Sequence, residues 1–151
     1  MKHPMIAGLG LVFFLALGAC GGDGGMGPGE NNNNNGGGEN MRVIVADPAF
    51  GSVIQEIFNR KGCSASSCHG STREAGLDLR AGSSHASLVN VTATQAAVAR
   101  VIPGNANDSY LIVKVEGRQS FGARMPLGGS NLDNIDLTNL KNWINQGAKN
   151  N

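Results

Sequence analysis

Two thiols and an imidazole stand close together in Gly62-Cys63-Ser64-Ala65-Ser66-Ser67-Cys68-His69-Gly70. Paired cysteines followed directly by a histidine are the pattern of covalent haem attachment. In that chemistry the thiols add across the porphyrin vinyl groups, and the adjacent imidazole coordinates iron from one face. Four residues separate these cysteines, where the usual pattern has two. Positions i and i+3 share one side of a helical turn, whereas i and i+5 do not. The tract between Cys63 and Cys68 must therefore arch away from a regular helix. Its four residues are all small, which suits a loop pressed against a flat porphyrin edge.

A second ligand is needed on the opposite face, and Met125 in Arg124-Met125-Pro126-Leu127-Gly128-Gly129 is the best candidate. A thioether is a soft donor that raises the reduction potential of haem iron. Pro126 restricts the preceding residue toward an extended conformation. Gly128 and Gly129 let the backbone pass close to a macrocycle. His85 is the rival, in a Gly/Ser-rich stretch that reads as surface. Met41 sits beside a tether, and His3 lies in a segment that is removed. Arg100, Tyr110 and Arg124 are candidates to meet the haem propionates, Arg124 by its adjacency to Met125. Pro103 is a candidate to offer a carbonyl to Nδ1 of His69, as partners of metal-bound histidines do.

Lys2 and His3 precede an apolar run from Met5 to Leu17, followed by Leu17-Gly18-Ala19-Cys20. A positive start, a short apolar core and small residues before a cysteine form a secretory signal. The run is shorter than the ~20 residues a spanning helix needs. The small residues before Cys20 resemble a bacterial lipobox. That resemblance implies cleavage over residues 1–19 and a diacylglycerol on the sulfur of Cys20. Gly21, in place of an aspartate, favours the outer over the inner membrane. Export suits covalent haem attachment, which in bacteria occurs outside the cytoplasmic membrane, and it gives each cysteine a role. The expected location is lipid-anchored, on the periplasmic side or at the cell surface.

Residues 20–41 are nearly all Gly and Asn, including Asn31 to Asn35. Nothing there repays the entropy of ordering. The segment reads as a flexible tether with an r.m.s. span of roughly 25 Å. Residues 42–151 then form one small domain, poor in aromatic side chains beyond Phe50, Phe58, Tyr110, Phe121 and Trp143. A haem would supply the missing apolar bulk.

The elements that must position these groups read as mostly helical. Asp47 is the expected cap of a first helix, with Pro48 in its first turn and Phe50, Val53, Ile54, Ile57 and Phe58 on its inner face, ending near Arg60. Asp136 is the expected cap of a last helix carrying Leu137, Leu140, Trp143 and Ile144 and stopped by Gly147. A short helical turn is expected around Ser84 to Val89, and an extended arm from Met41 to Ala46. Ser109 to Val115 is ambiguous. Its β-branched residues favour a strand, while Asp108 as a cap and Gly117 as a stop favour a short helix.

From Phe58 to Ala148 the chain resembles the single-haem cytochrome c domains of planctomycete and myxobacterial exported proteins. The matching pieces are Cys63 to Gly70, Gly76-Leu77-Asp78-Leu79, Val101-Ile102-Pro103-Gly104, Ser109-Tyr110-Leu111, Met125-Pro126 and Trp143-Ile144-Asn145-Gln146-Gly147-Ala148. The resemblance implies an all-α, class I cytochrome c-like fold, with N- and C-terminal helices packed around one covalent haem c. It implies His69 and Met125 as axial ligands, and it tips Ser109 to Val115 toward helix.

The expectation is thus an electron carrier, not an enzyme, with redox proteins as partners and the membrane reached through Cys20. If Met125 did not ligate, an open iron position would suit peroxidase chemistry or gas sensing. The formal charge is +1, and Lys2 leaves with the signal. No long basic run supports nucleic-acid binding. Two other readings compete. One is a structural or interaction lipoprotein with a Cys63–Cys68 disulfide. The other is a metal site on Cys63, Cys68 and His69, which for structural zinc would need a fourth ligand.

Overall fold

The computed structural model describes residues 42–151. The expected signal peptide, the expected lipidation site at Cys20, the expected tether and Met41 lie outside the described residues. Among the described residues all regular elements are helical, and no strand is formed. Isolated bridges join Val89 to Val101 and Thr92 to Ala99.

The first helix opens with one wide π-helical turn, Phe50–Ile54, and continues as α1, Gln55–Arg60. The width arises because Ala49 O accepts from both Val53 N and Ile54 N, at 3.1 and 3.4 Å. Phe50, Ile54, Ile57 and Phe58 face the core, as their spacing predicts. The expected cap at Asp47 does not form. Asp47 instead pairs with Lys149 at 2.9 Å. The first N–H groups go to Asn151, whose Oδ1 accepts from Phe50 N and whose carbonyl accepts from Gly51 N.

Three further α-helices follow: α2 (Ser84–Leu88), α3 (Tyr110–Glu116) and α4 (Asn134–Asn145). Ser109 to Val115 is therefore helix apart from Ser109 itself, which stands before the first turn. Gly117 stops α3 at φ +78°, a left-handed conformation that glycine adopts without a Cβ penalty. Asp108 does not cap α3. Its carboxylate accepts from Asn105 Nδ2, and Ser109 Oγ accepts from Ile102 N and donates to Asn105 O.

The cap of α4 is Asp133, not Asp136: Asp133 Oδ1 accepts from Asp136 N at 3.0 Å. Asp136 sits in the first turn, with its side chain almost fully buried. Arg60 and Arg42 reach its Oδ1 at 2.7 and 2.9 Å, and Lys61 Nζ lies 3.9 Å from its Oδ2. One carboxylate thus joins α4 to α1 and to the extended arm that starts at Arg42. The arm is further laced to α4 by side-chain amides. Asn139 accepts from Val45 N and donates to Val43 O, while Asn142 donates to Val45 O.

The Phe50–Ile54 turn and α3 both pack on α4. Trp143 is buried at the junction, 5.2 Å from the Phe50 ring between centroids, and its Nε1 donates to Lys149 O. Gly104 N donates to Ile144 O and Ala106 N to Asn145 Oδ1, which fastens the loop before α3 to the end of α4.

The Arg42 guanidinium, aided by Asp136 N–H, holds the Asp133 carboxyl down at about 2, against an ordinary 3.8. A carboxyl lowered by folding stabilises the fold above its ordinary value, and that stability is lost as pH falls through the folded value. Asp133 is 43% exposed, so the effect is modest. Thermal unfolding followed by circular dichroism should show the melting temperature falling between about pH 4 and pH 2. In Asp133→Asn, which keeps the cap and removes the charge, that fall should be shallower. An unchanged pH dependence in the variant would exclude this pair as a source of acid lability.

Candidate functional site

The tract from Gly62 to Gly70 folds as consecutive tight turns rather than helix. His69 N donates to Cys63 O at 3.1 Å, closing the loop across the four inserted residues. Cys68 N and Gly70 N both donate to Ala65 O at 3.0 Å. Thr72 Oγ1 donates to Cys68 O and, closer still, to Ser66 O. The loop is thereby fixed on both sides. Gly70 is required by close approach. A Cβ there would lie 2.5 Å from Ser64 O and 2.6 Å from Ala65 O, both backbone atoms.

This loop forms one wall of a cavity of about 450 Å³. That volume falls within the ~300–1,000 Å³ range of small-molecule and cofactor sites. Cys63, Cys68 and His69 lie on the wall, with Ile57 and Phe58 of α1, Leu79, Leu88 of α2 and Leu140 of α4. Tyr110, Leu111, Lys114 and Val115 of α3 add a second wall, and Met125, Pro126 and Leu127 a third.

His69 is half-buried, and its Nδ1 lies 2.9 Å from Glu74 O. A carbonyl can only accept, so Nδ1 carries the proton and Nε2 keeps its lone pair. Burial lowers the pKa of His69, which favours this neutral form. The partner is Glu74 rather than the expected Pro103, because the turn after Gly70 brings residue 74 back beneath the ring. Cys63 is a free thiol. Cys68 is disulfide-bonded, and its partner is not Cys63. Burial pushes the Cys63 thiol up to about 11, so it is not a thiolate at neutral pH.

Met125 reaches the wall because its loop is bonded to α3. Met125 N donates to Lys114 O at 3.0 Å, Lys114 Nζ donates to Ala123 O at 2.6 Å, and Arg124 Nε donates to Val115 O at 2.8 Å. The Met125–Pro126 peptide is cis.

Of the three propionate candidates, Arg100 and Tyr110 line the cavity. Arg124 does not: its side chain is exposed and spent on Val115 O. Arg100 is 8% exposed and donates to Ser87 O at 2.8 Å and Ala75 O at 2.9 Å. His85 is remote from the cavity wall. Its Nε2 lies 2.8 Å from Ala148 O, and its ring packs edge-on against Phe50.

Sequence reading missed Lys114. It is the one charged residue between Ser109 and Val115. Once the run is a helix, Lys114 lies four residues after Tyr110 and three after Leu111, on the face those residues turn to the cavity. It is 9% exposed. Burial lowers its pKa and that of Arg100.

No family model, curated protein or solved structure matches this chain. Among the described residues no three His, Cys, Asp or Glu side chains gather as a metal site. Among the same residues no helix is long and apolar enough to cross a membrane.

Gly70→Ala should displace the Ser64–Ala65 backbone, since the clashing atoms cannot rotate away. The expected outcome is a loss of about 1–3 kcal/mol, the usual scale of overpacking, measured by urea unfolding. A variant as stable as the parent would show that the loop has slack.

Proposed function

We propose that this chain is a monohaem c-type cytochrome that carries electrons outside the cytoplasmic membrane, tethered through lipid at Cys20. The observation that carries the reading is one cavity bounded by Cys63, Cys68 and His69 on one wall and Met125 on another. The donor set suits haem c. Two cysteines with the directly following imidazole match the attachment pattern, and a thioether is a known partner to histidine on iron. The apolar side chains around them suit a porphyrin face. The domain would then adopt a class I cytochrome c-like arrangement.

Haem, when bound, supplies a reversible one-electron change at iron. The protein's residues do the rest. Cys63 and Cys68 would hold the group by thioether bonds, Cys63 as the free thiol it is and Cys68 once a thiol reductant has opened the disulfide it carries. His69 is presented as the neutral tautomer, its ring angle set by Glu74 O. Met125 would supply a thioether ligand from a loop bonded to α3. Arg100, buried without a carboxylate partner among the described residues, would receive a propionate. Leu79, Leu88, Val115 and Leu140 would keep water from the group, which would suit outer-sphere transfer to a redox protein.

The test is a pyridine haemochrome spectrum of the full chain exported from a host with haem-maturation machinery. A c-type spectrum with one haem per chain is expected. A haem-free chain from that host would sink the proposal. Met125→Ala should keep the haem and lose the spectroscopic signature of thioether ligation, while His69→Ala should prevent normal maturation. An unchanged spectrum in Met125→Ala would remove Met125 from the ligand pair.

A further inference from the structure

Two buried cations face the same cavity, and neither has an anionic partner. Arg100 donates to two backbone carbonyls, and Lys114 to one. Among the described residues no Asp or Glu oxygen lies within ion-pair distance of either, although carboxylates elsewhere in the domain are paired, often more than once. An ammonium has three protons to place, and the one hydrogen bond seen for Lys114 goes to Ala123 O. Leaving a buried charge short of partners is costly. Its location is what makes it informative: both cations stand on the wall of the same cavity as Cys63, His69 and Met125.

Lys114 also differs from Arg100 in what else it holds. Its Nζ bonds Ala123 O and its carbonyl oxygen accepts from Met125 N. A Cβ at Gly122 would lie 3.5 Å from Nζ, so the loop is drawn close over the ammonium. One residue thus bridges the cavity and both sides of the methionine loop.

We infer that Lys114 and Arg100 form a two-cation subsite for the paired carboxylates of the bound group, and that Lys114, a positioning residue, ties that subsite to the Met125 loop. The inference rests on the haem reading and deepens it. The two propionates supply the paired carboxylates, one for each cation. Lys114 contributes a charge toward the cavity and a hydrogen bond toward the loop, and the two contributions can be separated.

The experiment uses the full chain, exported and loaded, as the parent and as Lys114→Arg, Lys114→Gln and Lys114→Met. Haemochrome content, the ferric thioether-ligation band and the midpoint potential are measured for each. Lys114→Arg should match the parent in both spectrum and potential. Lys114→Gln keeps a donor for Ala123 O and loses the charge, so it should keep the ligation band and shift to lower potential. The shift should favour the oxidised form on the order of tenfold, which is about 59 mV for one electron. Lys114→Met should show the same shift and also weaken the ligation band. If Lys114→Met fails to fold, Lys114→Gln decides the question alone. A parent-like potential in Lys114→Gln would overturn the inference while leaving the cytochrome reading intact. A haem-free parent would overturn the cytochrome reading itself.

Discussion

The cavity is built directly on the hydrophobic core. Ile57, Phe58, Leu79, Leu88, Val115 and Leu140 belong to the buried core and also line the cavity. All are nearly or fully buried, so they form a packed floor beneath it. Protein interiors are ordinarily close-packed, and a domain of about 110 residues has little apolar surface to waste. The sparse aromatic content points the same way, since Phe50 and Trp143 are committed to the junction with α4 and Phe121 is exposed. Ile57 and Phe58 of α1, Leu88 of α2, Leu140 of α4 and the inner face of α3 line the cavity, together with the Gly62–Gly70 loop and the Met125 loop.

The loops around the cavity are held by backbone hydrogen bonds more than by side-chain packing. Glu74 O meets His69, and Ala75 O meets Arg100. These two carbonyls belong to a turn in which Arg73 and Ala75 adopt left-handed φ values of +51° and +55°. Non-glycine residues pay for that conformation, and it persists where surrounding contacts over-determine it. Here those contacts are the imidazole and the guanidinium on the cavity wall. Glu74 N donates back to Cys68 O, and Leu79 N to His69 O, so the turn and the cysteine loop fix each other. Charge follows a similar logic at the other end of the domain. Asp136 collects Arg42 and Arg60, while Arg100 and Lys114 have no carboxylate partner among the described residues.

Helices were legible wherever apolar spacing was regular. Phe50, Ile54, Ile57 and Phe58, and Leu140, Trp143 and Ile144, turned inward as a period of 3.6 requires. The caps were not legible. Asp47, Asp108 and Asp136 each stood at a plausible N-terminus, and each carboxylate took a partner other than the helix start it seemed placed to cap. A cap is a local competition among acceptors. Asn151, far away in sequence, won it for the first helix. His85 was unreadable for a related reason. A histidine in a Gly/Ser stretch looks exposed until Phe50 and Ala148 are folded over it.

By itself the sequence determined which groups could do chemistry: two cysteines, their neighbouring histidine and a methionine before proline. Those assignments depend on side-chain chemistry and short spacings, which survive any fold. The tertiary structure decided which of them share a cavity, that Glu74 rather than Pro103 sets the histidine tautomer, and that Arg124 faces away while Lys114 faces in. Such choices turn on contacts between residues distant in sequence. No local pattern encodes them, because each is settled by what else is buried beside it.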